Sequence, residues 1–153
     1  MRFSLENLAY FTTITSDLIP EVLEKQSIRN PLAVSLGAIA GSLSRYYLGI
    51  WLAQRLGTSF PYGTLIINLT GSFAMGVLST LVLDQTLLIS PEVRLLIATG
   101  FLGSYTTFSS YELDTINLVQ AFRFNQAIIY WLGSAVMGAI SLYLGIVTAR
   151  LMR

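Results

Sequence analysis

The chain has 153 residues, of which 54% are hydrophobic and only 11% are charged, and its net charge is +1. A soluble domain carries about 25% charged residues, and a chain of this length buries only part of its surface on folding, so the composition indicates a membrane protein. The balanced charge gives no electrostatic basis for binding nucleic acid, and the lack of cysteine and histidine excludes disulfides, thiolate or imidazole zinc sites and histidine-based triads.

The first 30 residues differ from the rest, because they hold seven of the charges and no apolar run long enough for a signal peptide. We interpret residues 1–30 as an N-terminal cytoplasmic extension. Within it, residues 17–25 could instead form a short helix at the membrane interface.

Four segments with almost no charge follow, and each approaches the ~20 residues that cross a bilayer as a helix. They are residues 32–52, 63–83, 95–111 and 126–149, joined by short links. Residues 31–153 are therefore predicted to form one all-α membrane domain of four transmembrane helices. An even number of spans puts both termini on one side, and the few basic residues near the spans favour the cytoplasm only weakly. A weak bias is expected of a chain that can insert in either orientation.

The first span contains its only charge, Arg45, and two glycines four residues apart, Gly37 and Gly41. The glycine spacing favours close approach of another helix. A charge inside a membrane helix costs at least ~2.5–3.5 kcal/mol, which makes Arg45 a functional candidate. Two roles remain open for it, in an aqueous pathway or as a side chain that snorkels to the interface.

On the second span, Thr64, Asn68, Ser72 and Ser79 share one helical face. The Asn68 carboxamide needs hydrogen-bond partners inside a membrane. It can find them on another helix, as interhelical glue, or in the water of a pathway.

The third span has Gly100 and Gly103 ahead of a run rich in hydroxyl side chains. This composition predicts a break near the middle of the helix, with freed carbonyls able to bind a desolvated cation; a kinked helix is the alternative. Phe108 and Tyr111 lie three residues apart on one face, where ring edges could stabilise an anion or simply pack.

On the fourth span, Tyr130, Ser134 and Gly138 follow at intervals of four, a face suited to close packing or to a polar track. Glu112 and Asp114 end the third span and are not a pair of carboxylates held across a substrate. We therefore expect no enzyme.

Together these segments resemble the Fluc/CrcB family of fluoride channels over roughly residues 32–150. The resemblance rests on one motif in each span: Gly37-xxx-Gly41-xxx-Arg45-Tyr46, Gly63-Thr-Leu-xx-Asn68-xx-Gly71-Ser72-Phe73, Gly100-Phe-Leu-Gly103-Ser-Tyr-Thr106-Thr107-Phe108-Ser109 and Tyr130-xxx-Ser134-xxx-Gly138.

The resemblance implies a fluoride-selective channel of the plasma or inner membrane that exports fluoride passively and protects the cell from it. It also implies a dual-topology, antiparallel homodimer of inverted copies in the lipid bilayer, with a structural sodium ion at its centre. The family's pathway positions correspond here to Asn68, Thr107, Phe108, Ser109, Tyr111, Tyr130 and Ser134. Arg45 would lie at the vestibule, Asp114 aligns with an acidic residue at the end of the third helix, and the carbonyls of Gly103 and Thr106 would hold the sodium ion.

The chain departs from the family pattern in three places. Tyr111 stands where a second phenylalanine is common, Gly138 stands where some members have a second serine, and the N-terminal extension has no counterpart.

Two other functions stay open. A small dual-topology multidrug/proton exporter needs a carboxylate inside a span, and the four cores supply none; a non-transporting scaffold would use Asn68 and Ser134 for packing alone.

Overall fold

The structure is a computed structural model that describes residues 25–83 and 89–152. The proposed N-terminal extension lies mostly outside these residues. The described part is helical and contains no strand, which confirms the all-α prediction. The helices are α1 (Gln26–Leu56), α2 (Tyr62–Leu83), α3 (residues 91–105, in three consecutive parts), α4 (Phe108–Gln120) and α5 (Phe124–Leu151). Helix α1 begins ahead of the predicted start at residue 32.

Helix α3 changes winding along its length. It starts as the α-helical turn Pro91–Arg94, continues as the π-helix Leu95–Leu102 and ends as the short α-helix Gly103–Tyr105. The Ser90 hydroxyl caps its start by accepting a hydrogen bond from the Val93 amide at 3.4 Å. Arg29 of α1 forms a 3.0 Å ion pair with Glu92 in its first turn.

The third predicted span is broken, as expected, and the break lies between α3 and α4. Thr106 and Thr107 are extended there, with ψ values of 155° and 117°. The break therefore follows the glycines and lies within the hydroxyl run.

Two of the four predicted spans are long and apolar enough to cross a membrane, Tyr62–Val82 in α2 and residues Phe124–Leu151 of α5. Helix α1 has the length, but Arg45 and its small polar residues lower its hydropathy. The third segment is divided by the break, so neither half reaches a spanning length on its own.

Glycines allow two pairs of helices to touch along their backbones. A Cβ at Gly37 would collide with the Leu96 carbonyl, and one at Gly41 with the Phe101 carbonyl, so α1 packs closely on the π-helical part of α3, as the glycine spacing predicts. Gly76 and Gly145 do the same between α2 and α5. A Cβ at Gly71 of α2 would collide with the Thr106 side chain, so the break in the third segment lies directly against α2.

Candidate functional site

Asn68 binds the backbone at the break. Its Nδ2 donates to the Thr107 carbonyl at 3.0 Å, and the Thr107 amide donates to its Oδ1 at 2.8 Å. The carboxamide thus pairs with the Thr107 amide, which the break removes from the helix, and gives the Thr107 carbonyl an additional donor. Since a carboxamide has two N–H donors, one remains for another acceptor, so the structural and pathway roles are compatible.

Thr107 directly precedes α4 as its N-cap residue and is buried. Its Oγ1 accepts from the Ser110 amide at 3.2 Å and lies 3.0 Å from the Ser110 hydroxyl and 3.3 Å from that of Ser109. Thr107 therefore joins the Asn68 pair to a short chain of hydroxyls. Ser109 itself is exposed.

A cavity of about 300 Å³ lies beside this break. We call it the smaller cavity. No charged side chain lines it among the described residues. Its walls include most of the predicted pathway and cation positions: Asn68, Gly103, Thr106, Thr107, Phe108 and Tyr111, together with Ser72.

Phe108 and Tyr111 contribute their rings to the smaller cavity, with centroids 5.6 Å apart. Phe108 is 75% exposed, whereas Tyr111 is buried. The Tyr111 hydroxyl donates to the Trp131 carbonyl at 2.6 Å. The polar tip of Tyr111 is thus used to join α4 to α5, and its ring is left to form the cavity wall.

Tyr130 and Ser134 lie on α5 outside the lining of the smaller cavity. The Tyr130 ring is fully buried against Phe60 and Tyr111, with both centroids 5.5 Å away. The Ser134 hydroxyl is buried one helical turn later and has no hydrogen-bond partner within the described ranges. Tyr130 is therefore part of the core, while Ser134 keeps an unused donor.

A second cavity, of about 660 Å³, lies on the other side of the break. We call it the larger cavity. Arg45 lines it, as do Thr64, Ser110, Asp114 and Arg123. Thr107 lines both cavities.

Asp114 is the centre of a hydrogen-bond cluster at the larger cavity. Its Oδ2 accepts from the Thr64 hydroxyl at 2.6 Å and from the Tyr130 hydroxyl at 3.4 Å. Sequence reasoning missed this cluster. Helical spacing contained the signal for part of it, because Thr107, Ser110 and Asp114 share one face of α4 and its cap.

The break also changes the partners of two carbonyls. In a continuous helix the Thr107 amide would bond to the Gly103 carbonyl and the Ser110 amide to that of Thr106. Here these amides donate to Asn68 and to Thr107 Oγ1 instead. The carbonyls of Gly103 and Thr106 are thereby deprived of those donors, which suits them to a cation. The described residues contain no cluster of acidic side chains that could hold a metal ion.

Comparison with known proteins gives a consistent result. Residues 32–146 match the family model described as CrcB-like protein, Camphor Resistance (CrcB). The chain is 58% identical over 130 residues to the fluoride-specific ion channel FluC of Trichormus variabilis, a match that covers 85% of this chain and 95% of the relative. It is 60% identical over 127 residues to the protein of that name from a Synechococcus strain, covering 83% and 97%. The chain therefore belongs to the Fluc/CrcB family.

Proposed function

We propose that this protein is a fluoride-selective ion channel that exports fluoride passively across the cell membrane and so protects the cell from its toxicity. The names of its relatives support the ion. The observation that carries the proposal is the smaller cavity, which offers amide and hydroxyl donors and ring edges without any charged side chain. Such walls suit a small anion that must be bound weakly enough to leave again.

Fluoride is strongly hydrated, so each water that it loses must be replaced by a donor. The second N–H of Asn68 is the nearest unused donor at the break. The Thr107 hydroxyl donates to the Ser110 hydroxyl at 3.0 Å and would turn from it to fluoride as the ion passes. The rings of Phe108 and Tyr111 would present their positive edges. The unused Ser134 hydroxyl and the Ser109 hydroxyl would extend this track.

The larger cavity would serve as the aqueous vestibule, with Arg45 in its wall. Thr107 borders both cavities, which supports a route past the break from one to the other. On this route Asp114 is held by the hydroxyls of Thr64 and Tyr130. Tyr130 would then contribute through Asp114 and not as a ligand in the smaller cavity.

The working unit would be a dual-topology homodimer of two inverted copies, each crossing the plasma or inner membrane several times. In one chain the Phe108 ring is 75% exposed at the edge of the smaller cavity. A second copy packed there would close the cavity and shield the ion from lipid. Both termini of a copy would lie on the same side of the membrane.

A structural sodium ion would fit at the centre of such a dimer. The carbonyls of Gly103 and Thr106 have lost their helical donors, and two inverted copies would bring four such oxygens together. Hard cations of this kind prefer oxygen ligands. We expect the dimer to become weaker when sodium is replaced by a large organic cation. In size-exclusion chromatography it should then dissociate already at protein concentrations at which the dimer in sodium stays intact. An unchanged dissociation profile would contradict the sodium site.

Membership of a channel family leaves the exporter and scaffold functions without support, and it agrees with the expectation that the chain is not an enzyme.

Channel function itself is tested with proteoliposomes that hold potassium fluoride, in which valinomycin starts the efflux. We expect rapid fluoride efflux, no efflux from vesicles loaded with chloride, and no requirement for a proton gradient. A well-assembled dimer that passes no fluoride would disprove the proposal.

A further inference from the structure

Arg123 forms hydrogen bonds that connect the α4–α5 turn to the α1–α2 turn at the mouth of the larger cavity. It lies directly before α5, and its amide donates to the Leu118 carbonyl at 2.9 Å. The preceding residue, Phe122, has a φ of 58°, the left-handed region that a phenylalanine rarely adopts. The Arg123 Nη1 donates to the Ser59 carbonyl in the α1–α2 turn. The guanidinium is therefore held in place by a neutral partner.

The charge of Arg123 is not neutralised by that partner. Within residues 25–83 and 89–152, Arg123 forms no ion pair with a carboxylate. A guanidinium has five N–H donors, so several of them remain for an anion in the cavity. A fixed and uncompensated cation attracts anions from solution.

The larger cavity has a positive balance because of this residue. Its charged lining consists of Arg45, Arg123 and Asp114, two cations and one anion. The carboxylate already accepts hydrogen bonds from Thr64 and Tyr130. Without Arg123 the formal charge of the lining would fall from +1 to zero.

We propose that Arg123 is a recruiting residue, which holds a still hydrated fluoride ion at the cavity mouth and raises the local fluoride concentration ahead of the break. This inference rests on the proposed channel function. A unit charge about 5 Å from an ion in water changes the local concentration of that ion about four-fold. Recruitment must weaken as salt rises, because the screening length falls from about 30 Å at 0.01 M to about 3 Å at 1 M.

The test compares fluoride currents in planar bilayers for the wild type, Arg123→Gln and Arg123→Lys. Each is recorded at low ionic strength and again after addition of sodium gluconate, whose anion is too large to pass. We expect Arg123→Gln to carry about four-fold less current at low ionic strength and to approach the wild type at high ionic strength. Arg123→Lys keeps the charge and should recover most of the current. Arg94→Gln removes a positive charge that lines neither cavity and should behave as the wild type.

Three outcomes would overturn the inference. The first is a wild-type fluoride current in Arg123→Gln at low ionic strength, and the second is a loss of current that Arg123→Lys does not recover. The third is a loss of current by the same factor at all ionic strengths, which would show that Arg123 acts only structurally, through its hydrogen bond to the Ser59 carbonyl. Absence of current in the wild type would overturn the channel function as well. If Arg123→Gln fails to assemble, Thr58→Cys at the same mouth can be modified after assembly with a negatively charged thiol reagent. An unchanged low-salt current would then count against recruitment.

Discussion

The side chain of Asn68 connects two parts of the chain that lie 39 positions apart, and it does so with both ends of its amide. The pairing stabilises the extended Thr107 and uses only one of the two N–H donors of Asn68, which lines the smaller cavity. One residue thus supports the break and supplies a donor beside it. Its replacement should therefore affect conduction and not only packing.

We predict that Asn68→Asp abolishes fluoride efflux. The carboxylate would repel the anion, and it could no longer donate to the Thr107 carbonyl. Fluoride efflux from proteoliposomes measures the effect, and Gln26→Glu, at an exposed amide side chain of α1 that lines neither cavity, is the control. Unchanged efflux in Asn68→Asp would remove this residue from the pathway.

We predict that Phe108→Ile slows fluoride efflux at least ten-fold while the dimer persists, because the aliphatic side chain fills similar space without a positive ring edge. Phe108 is the first residue of α4, and Phe124 is the exposed first residue of α5, so Phe124→Ile is the matched control. Size-exclusion chromatography checks assembly before the flux is measured. Wild-type rates in a correctly assembled Phe108→Ile dimer would disprove the ring-edge role.

At the scale of elements, the broken third segment is held by neighbours on both sides. The α3 half lies against α1 through Gly37 and Gly41, and the α4 half is joined to α5 by the Tyr111 bond to the Trp131 carbonyl. The π-helical winding of α3 accompanies the close contact with α1. Such π segments occur frequently at functional sites.

The contact between α2 and α5 is equally close, and it can be tested without touching either cavity. A Cβ at Gly145 would collide with the Phe73 carbonyl, whereas one at Gly133 would meet only the Met137 side chain at 3.7 Å. We predict that Gly145→Ala lowers the stability of the protein by about 1–3 kcal/mol, as overpacking does. Gly133→Ala, on the same helix, should be nearly neutral. Thermal unfolding in detergent measures both, and equal melting temperatures would contradict the packing described.

At the scale of the whole molecule, a single chain leaves the smaller cavity open at its Phe108 edge. Large apolar side chains are also exposed along α1 and α5. Lipid can cover an apolar face, but it cannot satisfy the donors of a polar cavity. The proposed inverted partner would cover the polar cavity, and lipid would cover the apolar outer faces.

We predict that copies of this chain insert in both orientations. The chain has no cysteine, so Thr58→Cys in the exposed α1–α2 turn provides a single label site. A membrane-impermeant thiol reagent applied to intact cells should label about half of the copies, and permeabilised cells should give full labelling. Labelling of all copies or of none in intact cells would show one fixed orientation and contradict the antiparallel dimer.

The sequence by itself indicated that the chain is surrounded by lipid, that it is helical and which family it belongs to. Apolar composition indicates lipid, charge-free segments predict helices, and the spacing of Gly37 and Gly41 predicts a close helix contact; these properties depend on residues that are near one another along the chain. The hydroxyl run after Gly103 predicted the break for the same reason.

Only the tertiary structure decided the partners of the polar side chains. Nothing in the local sequence states that Asn68 pairs with the Thr107 backbone, that the Tyr111 hydroxyl turns away to the Trp131 carbonyl, or that Tyr130 is buried beside Asp114. The physical reason is that a buried polar group must find a partner, and which partner it finds depends on how distant helices meet.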